Sequence, residues 1–250
     1  GLDTVTNTKE GGYVWNDTVV KAHEESYDDE GNKTFTITIY DDLKFSDGSD
    51  VTAKDYLAFS LAMISPVGAQ ASGRTLSART ILGGEAFASY TGPDSEDGVK
   101  YLAGLRLIDD YTFAVTIPAA YLPYFYDITY AAYSAQPKAA FIGDADIMDD
   151  GEGAYLTDDF YAMNGDRYVQ ADAILTNCTD TTSANYAKYP WSGPYMVESF
   201  DTASGQAVLV KNPYFKGNYE GVVPAIEKVI YKKIVSSTQL EDFKAGGIDV

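Results

Sequence analysis

The sequence predicts a mixed α/β fold, and two stretches of the chain carry that prediction. Apolar and polar residues alternate over Phe35–Tyr40, which is the period of a half-buried strand. In Ala53–Ser65 apolar residues instead recur every three or four positions, as on one face of an amphipathic helix. The Asp47-Gly48 pair between them favours a turn, because glycine tolerates a positive φ and aspartate can bond its own backbone. The fold is therefore expected to open with strand, turn and helix.

Local signals delimit the helix and the stretch after it. Thr52 is the expected N-cap, and Asp55, three residues later, places a carboxylate in the capping-box position. Pro66–Asp97 is rich in glycine, serine and alanine. We therefore expect loops there, with one short helix near Glu85–Tyr90.

The alternating pattern returns later in the chain. The further predicted strands are Tyr111–Ile117, Tyr195–Phe200, Val208–Lys211 and Ile226–Ile234, with a hairpin turn at Ala203-Ser204-Gly205. Lys228 and Lys232 share a face of the last strand, which indicates a sheet edge or a charged flank. A last helix is expected from a capping box at Ser236 and Gln239 to a C-cap at Gly246-Gly247, before a strand begins at Ile248-Asp249-Val250.

The composition limits the classes of partner. The chain has 250 residues, of which 45% are apolar, enough for one large domain or two small ones. With 37 acidic against 18 basic residues, its formal net charge is −19. A nucleic-acid partner needs a basic face, as does docking on an anionic membrane surface, so the sequence argues against both. The apolar runs are also far shorter than the ~18 residues of a membrane span.

Residues suited to catalysis or metal binding are scarce. Cys178 is the single cysteine and His23 the single histidine, which excludes an intrachain disulfide and nearly excludes a zinc site. We expect His23 to face solvent and Cys178 to be inert, rather than to form a nucleophile pair. The sequence has neither a G-x-S-x-G turn nor a glycine-rich phosphate loop. It predicts no enzyme, no catalytic residue, no metal and no cofactor.

Ala139–Asp166 is acidic, with eight carboxylates and no basic residue. An EF-hand register fails, because ligand positions counted from Asp144 or Asp146 fall on methionine, tyrosine and threonine. We expect a solvated acidic loop, with a calcium site of another kind as the alternative.

Several motifs follow one another in a fixed order along the chain. The first is the turn and helix F-x-D-G-x-x-[VI]-T-A-x-D, which stands here from Phe45 to Asp55. The others are Asp109–Ile117, Leu122–Tyr126 with Gln136-Pro137-Lys138, the hairpin Ser192–Tyr195 with Val208–Tyr214, and Ser236–Val250. In this order the motifs resemble those of the extracytoplasmic solute-binding proteins of ABC importers, in the oligopeptide/dipeptide-binding group called family 5.

The resemblance implies a periplasmic-binding-protein-like type II lobe that carries an inserted small mixed α/β domain. It places the small domain at residues 5–138 and assigns residues 1–4 and 139–250 to the first ligand-binding lobe. Because the chain stops where a strand begins, we expect it to be the N-terminal portion of a longer protein, with the second lobe missing.

The resemblance also implies a function. The protein is expected to be the solute-binding component of an ABC transporter, capturing oligopeptides outside the cytoplasmic membrane and delivering them to a permease. The expected partners are a peptide ligand and the permease, with no nucleic acid, and with membrane only through a lipid anchor absent from this chain. A monomer is expected, located outside the cytoplasm as a periplasmic protein or a cell-surface lipoprotein.

The candidate ligand-binding residues come from two aromatic-rich places. The 21 tyrosines suit a wet cleft, since each offers a large contact area and one hydroxyl, although most are expected to be structural. Tyr130 and Tyr133 stand in the segment before Gln136-Pro137-Lys138, which resembles the family's crossing from small domain to lobe and so is expected to border the ligand. Trp191, Ser192 and Gly193, at the Gly-Pro-Tyr turn, complete the set.

Other functions stay open at this level. The same fold serves receptors for oligosaccharides, which favour aromatic platforms such as Trp191. It also serves receptors for nickel or metal chelates, although the single histidine disfavours nickel. An adhesion or signalling module on the cell surface, with no transport role, is the alternative from another class.

Overall fold

The structure, a computed structural model, describes residues 1–72, 76–162, 190–201, 203–234, 237 and 239–247. In those residues the strands are β1 (Val5–Asn7), β2 (Tyr13–Trp15), β3 (Val20–Tyr27), β4 (Lys33–Ile39), β5 (Leu105–Asp109), β6 (Thr112–Ile117), β7 (Ile147–Asp149), β8 (Ala154–Leu156), β9 (Tyr195–Asp201), β10 (Gln206–Lys211) and β11 (Lys228–Tyr231). The helices are α1 (Ala53–Ile64), α2 (Pro66–Ser72), α3 (Gly84–Phe87), α4 (Ala139–Ile142), α5 (Asp158–Ala162) and α6 (Gln239–Lys244). Short 3-10 helices span Ala119–Tyr121 and Asp127–Ala131. The predicted mixed α/β fold is confirmed.

An antiparallel sheet in the order β3-β4-β6-β5 forms the centre of the first half of the chain. Burial alternates along β4 as predicted, with Phe35, Ile37 and Ile39 buried and the threonines between them half-buried. On the other face the hydroxyls of Thr34 and Thr116 lie 2.8 Å apart and link β4 to β6. The sheet therefore has one apolar face and one polar face.

Helix α1 covers the apolar face. Tyr56 stacks on Phe113 of β6 with ring centroids 5.3 Å apart. At the start of the helix the Asp55 carboxylate accepts hydrogen bonds from the amide of Thr52 at 2.9 Å and from its hydroxyl at 3.0 Å. The predicted helix start at Thr52 is therefore confirmed. The helix ends at Ile64, because Ser65 precedes a proline and takes an extended ψ of 131°.

The apolar core that α1 helps to form continues past Lys138. Ile142, Ile147 and Phe160 are buried in the same cluster as the residues of β4 and α1. The amide of Leu102 also donates to the carbonyl of Ala154 at 2.9 Å. The domain boundary at residue 138 stays a prediction, although this packing joins the following twenty or so residues to the core of the small domain.

A second antiparallel sheet contains β9, β10 and β11, with β10 in the middle. The predicted hairpin is confirmed, and β11 lies at a sheet edge, the first of the two alternatives that its lysines indicated, although the strand ends at Tyr231, before Lys232. Apolar side chains of this part stay exposed, including Ile226 at 63% and Ile230 at 49%. This sheet thus contributes little to the buried core of the described residues.

The Asp47-Gly48 turn packs against the end of this hairpin. Gly48 has a φ of +86°, and a Cβ at this position would lie 2.9 Å from the hydroxyl of Tyr214. Lys216 and Asp42 form an ion pair beside the same joint. The turn therefore requires glycine both for its backbone and for the close approach of Tyr214.

The prediction of loops over Pro66–Asp97 is wrong for the first residues of that range. Pro66–Ser72 forms α2, with Pro66 at the first helical position, where the missing amide hydrogen costs nothing. The short helix predicted near Glu85–Tyr90 is confirmed as α3, one residue earlier and shorter.

The prediction of a solvated acidic loop is wrong in part for the described residues of Ala139–Asp166, because short helices and strands form there and two half-buried carboxylates are paired. The other described carboxylates of the stretch are exposed, as predicted. The Asp149 side chain is 3% exposed and accepts from Arg106 Nε at 2.7 Å and from the amide of Leu107 at 3.0 Å. Asp146 accepts from the ammonium groups of Lys54 at 2.7 Å and Lys138 at 2.9 Å. Basic partners outside the stretch, of which Lys54 and Arg106 are distant in sequence, neutralise these two carboxylates, so this part of the chain can pack.

Some predictions fall on residues outside those described. They are the inert Cys178, the N-cap at Ser236, the strand start at Ile248–Val250 and the end of the acidic stretch. His23, in contrast, is described: it is exposed, as expected, and its ring stacks on Trp15 with centroids 4.3 Å apart.

Candidate functional site

Tyr130 and Tyr133 lie on the segment that leads away from the first sheet, and buried hydrogen bonds fix that segment at both ends. The Thr4 hydroxyl donates to the carbonyl of Ala131 at 2.6 Å and accepts from the amide of Tyr133 at 2.9 Å. Further on, the amide of Lys138 donates to the buried carboxylate of Asp55 at 2.9 Å. The segment of the tyrosines is thus held by the residue before β1 and by the start of α1.

A buried lysine anchors the 3-10 helix that carries Tyr130. Lys33 is 4% exposed, donates to Asp127 Oδ2 at 2.6 Å and pairs with Glu25 at 2.8 Å. Burial works against the charge of Lys33, but its bonds to Asp127 and Glu25 outweigh burial and raise its pKa. The ammonium is therefore charged at neutral pH and ties β4 to the first residue of the 3-10 helix.

Tyr130 and Tyr133 line one cavity of about 360 Å³, which opens between α1, residues 76–81 and residues 129–136. The volume exceeds that of a single large side chain, so the cavity can accept part of a ligand. The described residues that line it are Tyr56, Phe59, Ser60, Leu76, Ser77, Thr80, Ile81, Ile117, Thr129, Tyr130, Ala132, Tyr133, Ser134 and Gln136.

The cavity wall is uncharged among the described residues and rich in hydroxyls and aromatic rings. Burial raises the pKa of the Tyr133 phenol, while a hydrogen bond with Ser60 works in the opposite direction. Burial likewise raises the pKa of Tyr56, and the nearby carboxylates of Asp3 and Asp55 add to that effect. These phenols keep their protons at neutral pH, so they add no charge to the wall.

The three remaining candidate residues lie outside this lining. The amide of Trp191 donates to Ser46 Oγ at 2.9 Å, and the amide of Ser46 donates to the carbonyl of Trp191 at 2.8 Å. The carbonyl of Gly193 accepts from Asn212 at 2.9 Å. Ser192 has its hydroxyl beside Gly1. Trp191 thus joins the segment before β9 to the Asp47-Gly48 turn, Gly193 closes the base of the β9–β10 hairpin, and Ser192 lies next to the N-terminus.

Sequence reasoning missed part of the cavity wall. Tyr56 and Ser60 lie on the buried face of α1, where the helical period assigns them to the core. The signal for Ser60 was its polarity on an otherwise apolar face. Gln136 begins the Gln136-Pro137-Lys138 motif, which could have pointed to it, whereas Ser134 carries no signal apart from its proximity to Tyr133.

The described residues contain no cluster of three or more side chains able to hold a metal ion. Within the same residues, every helix is too short or too polar to cross a membrane.

Comparisons with known proteins point to one family. A family model described as bacterial extracellular solute-binding proteins, family 5 Middle, matches residues 18–250. The periplasmic oligopeptide-binding protein OppA of Escherichia coli is 26% identical over 228 residues, which is 90% of this chain and 34% of that protein. OppA of Salmonella typhimurium is 25% identical over the same length. The chain thus spans about a third of the length of these relatives.

Solved structures show the same fold at lower identity. The chain matches Haemophilus influenzae OppA in complex with the peptide RPPGFSPFR at a TM-score of 0.55 and 18% identity, covering 98% of this chain and 38% of that one. It matches Burkholderia pseudomallei OppA at a TM-score of 0.52 and 22% identity, with the same coverage. A periplasmic EDTA-binding protein, EppA, matches at 0.50 and 17% identity, covering 98% of this chain and 36% of that one.

These likenesses confirm the predicted periplasmic-binding-protein-like fold, of which the chain contains a part. The family model covers nearly the whole chain, from a residue in the β2–β3 connection to the last residue. The protein therefore belongs to the bacterial extracellular solute-binding proteins of family 5.

Proposed function

We propose that this chain forms one wall of the ligand site in an oligopeptide-binding protein that serves an ABC importer. The observation that carries the proposal is the uncharged cavity lined by Tyr130 and Tyr133. A receptor for peptides of varied sequence needs roomy pockets with neutral hydrogen-bonding groups, because fixed charges would select particular side chains. Family membership and the peptide-binding relatives support the same ligand class.

The wall would act by hydrogen bonding and aromatic contact. Protonated phenols and serine hydroxyls donate to and accept from peptide amides, while the rings of Phe59 and Tyr130 cover apolar parts of side chains. The bonds from Thr4 and Asp55 hold this wall in one geometry, which lowers the ordering cost when ligand binds. Closure of a second lobe over the peptide would bury it and form the surface that a permease recognises.

Location and assembly follow from the same proposal. We infer that the protein acts outside the cytoplasmic membrane, in the periplasm or as a lipid-anchored protein of the cell surface, and that it works as a monomer. Residues that hold the ends of the peptide would belong to the second lobe. The chain by itself is therefore expected to bind peptide weakly or not at all, which calorimetry with micromolar peptide can contradict.

The test is identification of the natural ligand. The protein would be purified at its full natural length, denatured, and the released small molecules identified by mass spectrometry. A series of short peptides would support the proposal and give the preferred length. A metal chelate is the second candidate, because the EDTA-binding EppA has the same fold, and recovery of a chelate or of oligosaccharides would contradict peptide capture.

A further inference from the structure

An exposed cluster of aromatic side chains lies on the surface beside the cavity. The aromatic patch consists of Tyr13 at 40%, Tyr124 at 44%, Phe125 at 89% and Tyr126 at 42% exposure. Ring centroids are 4.7 Å apart for Phe125 and Tyr126 and 5.5 Å apart for Tyr13 and Tyr126. Single exposed aromatic residues are common on protein surfaces, but a contiguous patch of this kind marks a binding surface.

The aromatic patch is continuous with the candidate site. The ring of Tyr124 lies 5.5 Å from the ring of Tyr130, which lines the cavity. Tyr126 is in turn 6.1 Å from Tyr124. A ligand that fills the cavity and continues toward the surface would therefore pass over these rings.

The surroundings of the aromatic patch are acidic. The residues from His23 to Asn32, at the end of β3 and in the turn after it, contain five carboxylates and no lysine or arginine. All five are exposed: Glu24, Glu25, Asp28, Asp29 and Glu30. Residues 119–136, which include most of the patch, contain no basic residue either.

One buried lysine connects the acidic end of β3 to the aromatic patch through two ion pairs. Lys33 bonds Glu25 at 2.8 Å and Asp127 at 2.6 Å, and Asp127 directly follows Tyr126 in the sequence. This lysine is 4% exposed and already shared by two carboxylates. One positive charge is thus shared by two negative ones, so the net charge of this group stays negative, and the ammonium of Lys33 is not available at the surface.

We propose that the aromatic patch binds cationic side chains of the peptide ligand, arginine above all. The negative faces of the rings attract a guanidinium or ammonium group, and arginine also stacks on them through its flat surface. The neighbouring carboxylates add electrostatic attraction, which disfavours an anionic or purely apolar occupant. This inference rests on the proposed function and adds a substrate class to it, namely peptides with a basic residue beyond the part held in the cavity.

The experiment compares arginine with citrulline, which has nearly the same shape but no charge. A nonapeptide would carry arginine or citrulline at each position in turn, and calorimetry would give its affinity for the protein at its full natural length. At one or two positions the arginine peptide is expected to bind about tenfold tighter, as a few cation–π contacts and nearby carboxylates would give. The preference should shrink when salt is raised to 0.5 M, because exposed charges are screened.

Two variants assign that preference to the patch. Phe125→Ala removes the most exposed ring, so the fold should survive, and the arginine preference is expected to fall to about threefold or less. The matched control is Tyr231→Ala, which removes a ring of 59% exposure on β11, away from the patch, and should leave the preference unchanged.

The outcomes separate this inference from the proposed function. Equal binding of arginine and citrulline peptides at every position overturns the inference and leaves peptide capture standing. A preference that Phe125→Ala does not reduce also overturns it, including the case in which that variant instead changes the oligomeric mass and thereby indicates a second copy on the patch. Failure of both peptide series to bind overturns the inference together with the proposed function.

Discussion

Replacement of Asp55 by alanine tests the joint between α1 and the segment that carries Tyr130 and Tyr133. The Asp55 carboxylate accepts from the amide of Thr52 at 2.9 Å, from its hydroxyl at 3.0 Å and from the amide of Lys138 at 2.9 Å. The side chain belongs to a residue that is 6% exposed, so water cannot readily replace it. The Asp55→Ala variant therefore leaves two amides without their acceptor.

The expected loss follows from these bonds. Each buried amide left unpaired costs about 1–3 kcal/mol. Burial raises the pKa of Asp55, which shows that its ionised form also carries a desolvation cost that the variant removes. We expect a net loss of about 2–4 kcal/mol in the free energy of unfolding. For a chain of this size that corresponds to a fall in Tm of roughly 10 °C.

Urea unfolding at pH 7, followed by circular dichroism, measures the loss as a lower midpoint with an unchanged slope. The matched control is Asp47→Ala, because Asp47 also bonds a nearby amide, that of Ser49 at 3.0 Å, but is exposed. That control should lose only about 0.5 kcal/mol. A loss below about 1 kcal/mol for Asp55→Ala, or equal losses for both variants, would refute the reasoning.

Two further predictions concern a pH dependence and a turn. Burial works against ionisation of Asp146, but the bonds from Lys54 and Lys138 outweigh it and lower the pKa to about 2. The stabilisation is therefore present above the ordinary pKa of an unfolded aspartate and is lost as the pH falls toward about 2. Its side chain is 40% exposed, so we expect Asp146→Asn to cost only about 1 kcal/mol at pH 7 and almost nothing near pH 2, measured by urea unfolding across that range. Gly48→Ala should cost about 2 kcal/mol, because it combines a positive φ with a contact on Tyr214.

Each of these predictions has a clear counter-result. A constant difference between Asp146→Asn and the unmodified chain from pH 7 to pH 2.5 would show that the ion pair is not the cause. For the turn, Gly11→Ala is the matched control, since Gly11 has a φ of +83° but no atom within 4 Å of the added Cβ. Equal losses at the two glycines would show that the Tyr214 contact contributes nothing.

Local patterns in the sequence were sufficient for the elements whose structure depends on neighbouring residues. Phe35, Ile37 and Ile39 alternate with threonine because one face of β4 lies on the core, and the period alone reveals that. The start of α1 was equally predictable, since Thr52 and Asp55 make their bonds within one turn.

Strands and helices that lack a regular repeat of apolar residues could not be predicted in this way. Strand β3 is exposed at nearly every position, so no alternation marks it, and only its pairing with β4 makes it a strand. Strand β5 alternates only weakly at the edge of the sheet. In α2 the small residues that suggested loops are compatible with a helix that begins at Pro66.

The predictions for the acidic stretch and for the cavity wall failed for a common reason. In both places the residues that contact each other are far apart in the sequence. Asp146 finds Lys54, 92 positions away, and Asp149 finds Arg106, 43 positions away. These two carboxylates, which look solvated in the sequence, are therefore neutralised by tertiary contacts. Tyr130 and Tyr133 were nominated from a resemblance, whereas the opposing wall from α1 becomes visible only once the sheet has brought α1 beside them.

The central claim is that the cavity at Tyr130 forms part of the peptide site, and cross-linking tests it most directly. Tyr130 would be replaced by the photoreactive residue p-benzoylphenylalanine in the protein at its full natural length, with the same replacement at Tyr231 as the control. After illumination with a bound peptide, we expect a covalent adduct at position 130 and none at position 231. Peptide that binds the protein but leaves position 130 unmodified would contradict the account.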